Sequence, residues 1–254
     1  MYINDRQVRR PYVCSKQQRM SGITLLIGAT AGTGYEAAQQ LLAKHLPIRI
    51  IARNGAKAEK LLGQTSAELI ICDLTTPNDA FYRAFQDVNT IIFTAAVPPG
   101  FASEARIRAV DYGGLVSALN AARKANFRGR FVYMSTIGLQ HNTWSIRLLN
   151  LIKTNVIHWR LEAEKAVMQS GLAYTIVRAG VLRDKPQGSK PIQLVAHDIP
   201  IGLSTQIGRA DTANLLITFA QEEAARNKAI SAIWGGDGTS IKEQLNLFRG
   251  KRLS

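Results

Sequence analysis

Cysteine is scarce in this chain, with two in 254 residues, Cys14 and Cys72. Neither their number nor their spacing makes a metal-binding cluster or a disulfide framework, so a reducing compartment is the expectation. Long apolar runs are missing as well; none approaches the ~20 residues that a membrane-spanning helix requires, so no membrane span is expected. Aromatic residues make up 7% of the chain, and no nucleic-acid-binding motif accompanies them. Acidic residues are few: 18 Asp and Glu against 32 Lys and Arg, a formal charge of +14. That balance attracts anions, whether a phosphorylated cofactor, an acidic substrate, nucleic acid or an anionic membrane, without choosing among them. The first 22 residues set Arg6, Arg9, Arg10, Lys16 and Arg19 against one acid, Asp5, and lack the apolar core of a secretory signal. Residues 1–22 are read as a basic, flexible arm of a cytoplasmic protein, with organelle targeting left open.

What is present is most concentrated at Ile23-Thr-Leu-Leu-Ile-Gly28-Ala-Thr-Ala-Gly32-Thr-Gly34. A short apolar strand runs into a glycine turn and on into a helix from Tyr35. Such a turn leaves backbone N–H groups and a helix N-terminus free for a pyrophosphate. A second strand, 47–53, ends at Arg53-Asn54, where an NAD-binding protein carries an acid for the ribose hydroxyls. A guanidinium there offers paired donors to a 2′-phosphate, which favours NADP over NAD. From these residues alone, an ordinary strand-to-helix turn and a solvated arginine at a strand end remain the alternatives.

Short apolar runs recur at 68–73, 89–94, 129–135, 173–178 and 229–234, the last a seventh strand. Helical patterns lie between them at 35–45, 56–63, 79–85, 103–125 and 152–170, and another follows at 209–223. Nearly continuous apolar strands alternating with helices predict βαβ units and a doubly wound parallel sheet in one α/β domain, 23–254. The stretch 183–191 is a loop by its proline and glycine content, and 192–207 reads as irregular. Segments 181–208 and 235–254 are expected to cover the site at the carboxyl ends of the strands.

Gly28-Ala-Thr-Ala-Gly-Thr-Gly34 resembles the Gly-x-x-x-Gly-x-Gly turn of the short-chain dehydrogenases/reductases. Cys72-Asp-Leu74, Thr94-Ala-Ala96, Val110-Asp-Tyr-Gly-Gly114, 131–138, 170–180 and Gly208-Arg-Ala-Asp-Thr-Ala213 resemble the atypical branch, the NAD(P)-binding NmrA-like and flavin-reductase-like proteins, in family order. The resemblance implies a Rossmann domain that holds NADP, NADPH in preference to NADH. Gly28, Thr30, Ala31, Gly32, Thr33 and Gly34 would form the phosphate turn, and Arg53 and Asn54 would take the 2′-phosphate side. Asp73 and Leu74 would flank the adenine. Thr94, Ala95, Ala96 and Val97 would run under the ribose towards the nicotinamide, with Ser135 beside the reacting carbon and Ala179, Gly180 and Val181 along the amide. Asp211 is read as the cap of its helix.

The departures from the family bear on catalysis. The Tyr-x-x-x-Lys pair of the main group does not occur between 136 and 170, and Tyr12-x-x-x-Lys16 precedes the first strand. Where some atypical reductases carry a lysine, this chain has Arg160, which can orient or stabilise but cannot act as a base. Ser135, Thr136 and Arg160 are therefore the catalytic candidates. His158 lies about 200° from Arg160 around a helix, while His141 and His197 fall on loops. No metal is expected. Val97, Pro98, Phe101, Ile137, Leu139, Trp144 and Leu182 would line an apolar pocket. The expected activity is NADP(H)-dependent reduction of a small aromatic or conjugated carbonyl-type substrate. The alternatives are a non-catalytic, NmrA-like regulatory or scaffold protein with a protein partner or as a homodimer, and, third, a nucleic-acid-associated Rossmann protein.

Overall fold

Eight strands form one sheet, whose central strands are largely apolar on both faces because both faces are covered. The computed structural model describes residues 22–63, 67–98, 100–141 and 154–249. Strands β1 (Ile23–Ile27), β2 (Ile48–Ala52), β3 (Glu68–Ile71), β4 (Val88–Phe93), β5 (Arg130–Thr136) and β6 (Tyr174–Ala179) are parallel. Beyond a small pair formed by β7 (Val181–Arg183) and β9 (Gln206–Gly208), β10 (Lys228–Trp234) joins β6 in parallel and β8 (Ile192–Val195) closes the edge antiparallel. The order is β3-β2-β1-β4-β5-β6-β10-β8. The chain winds one way from β1 to β3 and the other way from β4, so the crevice opens where β1 and β4 end side by side.

Alternation sorts the two cores. Leu26, Ile50, Ile92, Val132 and Val177 pack with Ala37, Ala38 and Leu41 of the helix Gly32–Ala43 and with Leu215, Leu216 and Phe219 of the helix Arg209–Gln221. Leu25, Ile51, Ile91, Phe93, Phe131 and Ile176 face Leu115, Ala118 and Leu119 of the helix Leu115–Lys124 and Ala163 and Val167 of the helix Val156–Met168. Period two along the strands and 3.6 along the helices produce this division.

The seven expected strands are all present, and the structure corrects three boundaries. The first helix begins at Gly32 rather than Tyr35, because the last two glycines of the turn are already helical. The span 104–124 is helical throughout but contains a π segment at Arg108–Gly114. The stretch 192–207 is irregular only from 196 to 205: at its ends β8 finds its ladder on β10 and β9 on β7, pairings that short strands acquire only from a distant partner. The helix Ile241–Asn246 docks on β8, where the Gln244 side chain accepts from the N–H of Leu194 and donates to Ile192 O. Since β8 is the fourth strand out from β4, roughly 19 Å at the usual strand spacing, this part of 235–254 does not lie over the crevice.

Candidate functional site: a glycine turn and two buried ion pairs

The glycine turn is tight because three backbones meet in it. Gly28 has φ +98°, and a Cβ there would stand 2.5 Å from Ala95 N. A Cβ on Gly34 would run into Gly28 O and Thr94 Oγ1. Thr94 ties the turn to the end of β4: its N–H donates to Ile27 O at 2.8 Å, and its hydroxyl lies 3.2 Å from Ile27 O and 3.3 Å from Gly28 O. Thr94 is thus a strut beneath the turn. At its crest Gly32 has φ +52°, and Ala31 is an extended N-cap with no side-chain cap for the first-turn N–H groups. Those donors, at the positive end of the helix, suit a pyrophosphate. Thr33 Oγ1, on a residue only 3% exposed, has no hydrogen-bond partner among the described residues. An orphaned buried hydroxyl and an uncapped turn fit a dinucleotide.

On the adenosine side, Arg53 is exposed at the end of β2, next to the end of β3. Asp73 Oδ1 accepts from the N–H and the hydroxyl of Thr75, at 2.8 and 2.7 Å. These bonds, with the field of Arg53 added, hold the Asp73 carboxyl below its ordinary pKa. Asn54, expected beside the 2′-phosphate, caps the helix Gly55–Leu62 by accepting from Lys57 N at 2.9 Å. Leu74 packs on the π segment, where a Cβ on Gly114 would meet Leu74 Cβ at 3.1 Å.

On the side of the reacting carbon, the two adjacent hydroxyls part company, as alternate residues of a strand must. Ser135 follows Phe131 and Tyr133 onto the face covered by the helix Val156–Met168; it is 2% exposed, and its Oγ has no partner among the described residues. Thr136 points the other way and donates to Ala179 O at 3.4 Å. Arg160, 16% exposed, sets its Nη2 3.5 Å from Asp111 Oδ2, while Asp111 Oδ1 accepts from Val97 N at 2.7 Å. The π segment places Asp111 there; such single-turn insertions often mark functional positions. One layer deeper, Arg178, the register partner of Ser135, forms a bidentate pair with Glu164, its Nε 3.1 Å from both oxygens and Nη2 2.7 Å from Oε2. Burial alone works against the Arg178 charge, yet the bonds and field of Glu164 prevail and raise its pKa. Tyr133 beside them is pushed well above the ordinary phenol range, chiefly by burial.

Ala179, Gly180 and Val181 leave β6 for the small sheet. Gly180 N donates to Ala232 O and Val181 N to Thr205 O, and a Cβ on Gly180 would approach Thr205 O to 2.6 Å. Of the expected pocket residues, Val97 and Leu139 join Ile107, Val156 and Ile157 in a small buried cluster against which Ile201 packs. Ile137 is buried, Leu182 packs on the main core, and Pro98 and Phe101 are exposed. Trp144 and residues 1–21, including Cys14, lie outside the described residues. His158 is exposed, its ring edge-on to Trp159 at 4.9 Å.

Three carboxylates not chosen from sequence shape the site. Asp111 stands in a quoted motif without an assigned role. Asp198, 5% exposed, accepts from Gly138 N at 2.7 Å and Gln140 N at 2.8 Å, tying the loop after β5 to the covering segment. Glu164 carries a charge on an otherwise core-facing position, the one sequence signal for a buried pair. Asp211 does not cap its own helix. Its oxygens accept instead from Gly188 N at 2.7 Å and Trp234 Nε1 at 2.8 Å. Among the described residues no group of three His, Cys, Asp or Glu could hold a metal, and no helix is long and apolar enough to cross a membrane.

Comparison with known proteins agrees with this geometry. The chain is 27% identical to an uncharacterized chloroplastic protein of Arabidopsis thaliana, over 88% of this chain and 74% of that one. It is 25% identical to sanguinarine reductase of Eschscholzia californica, over 88% and 94%. A solved Bacillus halodurans structure classed with NAD-dependent epimerases/dehydratases superposes with a TM-score of 0.75 at 19% identity, covering 89% of this chain and all of that one, 100%. The profile of the NAD(P)H-binding family matches residues 28–223, and the chain belongs to that family, in its atypical short-chain dehydrogenase/reductase, NmrA-like branch.

Proposed function

We propose that the protein is an NADP(H)-dependent reductase of a small aromatic or conjugated carbonyl-type substrate. The observation that carries the reading is the uncapped turn 28–34 at the β1/β4 switch point, with the exposed guanidinium of Arg53 at the end of the neighbouring strand. The first-turn N–H groups and Thr33 hold the pyrophosphate, Arg53 the 2′-phosphate, and Asp73 and Leu74 flank the adenine. Bound there, the nicotinamide supplies or takes up a hydride, so the protein's task is orientation and exclusion of water. Val97 and Ala179 to Val181 frame the carboxamide side. The buried Ser135 hydroxyl donates to the substrate oxygen, and Arg160 acts through Asp111, which fixes the backbone at Val97. Thr136 spends its proton on Ala179 O and supports the strand end. Similarity to a sanguinarine reductase supports the reductase reading.

The test is calorimetry with NADPH and NADH on the full chain and on Arg53→Gln, followed by NADPH oxidation with a panel of conjugated and aromatic substrates. Arg53→Gln should weaken NADPH about ten- to a hundredfold, the worth of a charge-assisted phosphate contact, and leave NADH within about twofold. Equal loss of both nucleotides refutes the 2′-phosphate assignment. A second reading, a nucleotide-binding regulatory protein without turnover, is favoured by the engagement of Arg160 with Asp111. Binding without oxidation of NADPH across the panel would select it. The cytoplasm is the proposed location; because several relatives are chloroplastic, a fluorescent fusion with and without residues 1–22 tests organelle import.

A further inference from the structure

Arg209 begins the helix Arg209–Gln221 on the far side of the glycine turn, and the reading above gives it no work. Its side chain crosses in front of Gly32, where a Cβ would lie 3.6 Å from Arg209 Nε and 3.8 Å from Cδ. Its Nη1 donates to Asp184 Oδ1 at 2.7 Å, with Arg209 26% and Asp184 89% exposed. The loop bearing Asp184 is anchored a few residues on, where Gly188 N donates to Asp211 Oδ1 in the first turn of the same helix. A cleft lined by Glu36, Gln40, Asp184, Lys185, Gln187 and Arg209 opens beside the pair. The guanidinium therefore has its stem against the phosphate turn and its head on a carboxylate that is almost wholly in water. An ion pair so exposed is weak. A pyrophosphate on the turn, doubly charged and rich in paired acceptor oxygens, competes for the same planar donors.

We propose that Arg209 is a pyrophosphate clamp and that Asp184 is its internal stand-in for the anion. Nucleotide binding exchanges Asp184 for the pyrophosphate, closes Arg209 over Gly32 and releases the rim 184–187 of the cleft. The inference rests on the dinucleotide reading of the turn, and it differs from the role of Arg53: the pyrophosphate is common to both nucleotides, so Arg209 cannot discriminate between them.

Calorimetry with NADPH and NADH on the full chain tests it. Arg209→Gln should weaken both by the same factor, about tenfold or more. Asp184→Asn should tighten both by about two- to fivefold, the value of an exposed ion pair that no longer has to be broken. In the Arg209→Gln background, Asp184→Asn should do nothing. Hydrogen exchange at 184–187 should quicken on addition of NADPH to the wild type and not to Arg209→Gln. If Arg209→Gln lost its fold by circular dichroism, Arg209→Lys and the exposed Asp184→Asn would carry the test. The proposal is overturned alone if the wild type binds while Arg209→Gln binds equally well, or if the Asp184→Asn effect survives without Arg209. A wild type that bound neither nucleotide would overturn the dinucleotide reading, and this inference with it.

Discussion

Replacing Arg160 by methionine should lower the melting temperature by about 4–8 °C while leaving affinity for NADPH within about threefold. The change leaves the Asp111 carboxylate in place, 2% exposed and still accepting from Val97 N, but removes the guanidinium 3.5 Å from its other oxygen. Two unit charges at that distance attract by about 5 kcal/mol at an effective dielectric near 20. Most of that attraction is offset by taking both charges out of water. Breaking a fully buried pair costs about 3–5 kcal/mol, an upper limit here because water reaches the arginine. Arg160 keeps 16% of its surface exposed, which brings the net loss to about 2 kcal/mol. At this chain length that loss is the stated shift in melting temperature. The double variant Asp111→Asn/Arg160→Met should recover most of the stability, because the amide still accepts from Val97 N and the buried carboxylate parted from its guanidinium is replaced by a neutral group. Arg160→Lys, which keeps the charge, should retain most of the turnover. Thermal denaturation followed by circular dichroism, calorimetry and steady-state NADPH oxidation measure the three quantities. If Arg160→Met abolished turnover at unchanged melting temperature, the arginine would touch the reacting atoms. If the double variant were no more stable than the single one, the electrostatic reasoning would be wrong.

Further outcomes follow from the same geometry. Gly34→Ala drives a methyl into Gly28 O and Thr94 Oγ1, so it should cost at least about 1–3 kcal/mol and abolish nucleotide binding, as read by thermal shift with and without NADPH. Glu164→Gln removes the charge that holds Arg178, 1% exposed, and should destabilise by about 3–5 kcal/mol in chemical denaturation. Asp198→Asn cannot accept at both oxygens, so hydrogen exchange at 138–140 should quicken and turnover fall while NADPH affinity holds. Asp73, its pKa lowered by Thr75 and Arg53, contributes in the ionised form above the ordinary carboxylate pKa and loses that contribution only as the pH falls through its depressed value. Any rise in NADPH affinity between pH 5 and 7 should then follow the 2′-phosphate, pKa about 6, and be absent for NADH and for Arg53→Gln.

Much of the scaffold was legible in the chain itself. Runs such as Ile91 to Phe93 are apolar at every position because both faces of a parallel strand are covered, and that composition separates them from the amphipathic helices between them. The glycines at 28 and 34 announced a turn into which backbone from elsewhere must press, and the pressing backbone proved to be Thr94–Ala95. By contrast, β8 and β9 were invisible because four and three residues carry too little pattern, and their partners β10 and β7 are distant or equally short.

Local sequence determined the seven expected strands, the helices, the glycine turn and the cation at the end of β2, since each depends on neighbours a few positions away. Tertiary structure alone decided which charges meet. Asp111 reaches Arg160 across 49 residues because a π turn rotates it inward, Glu164 reaches Arg178 across a helix–strand contact, and Arg209 comes to Gly32 from the other end of the domain. A side chain's periodicity states whether it faces inward; only the packed chain states what it faces.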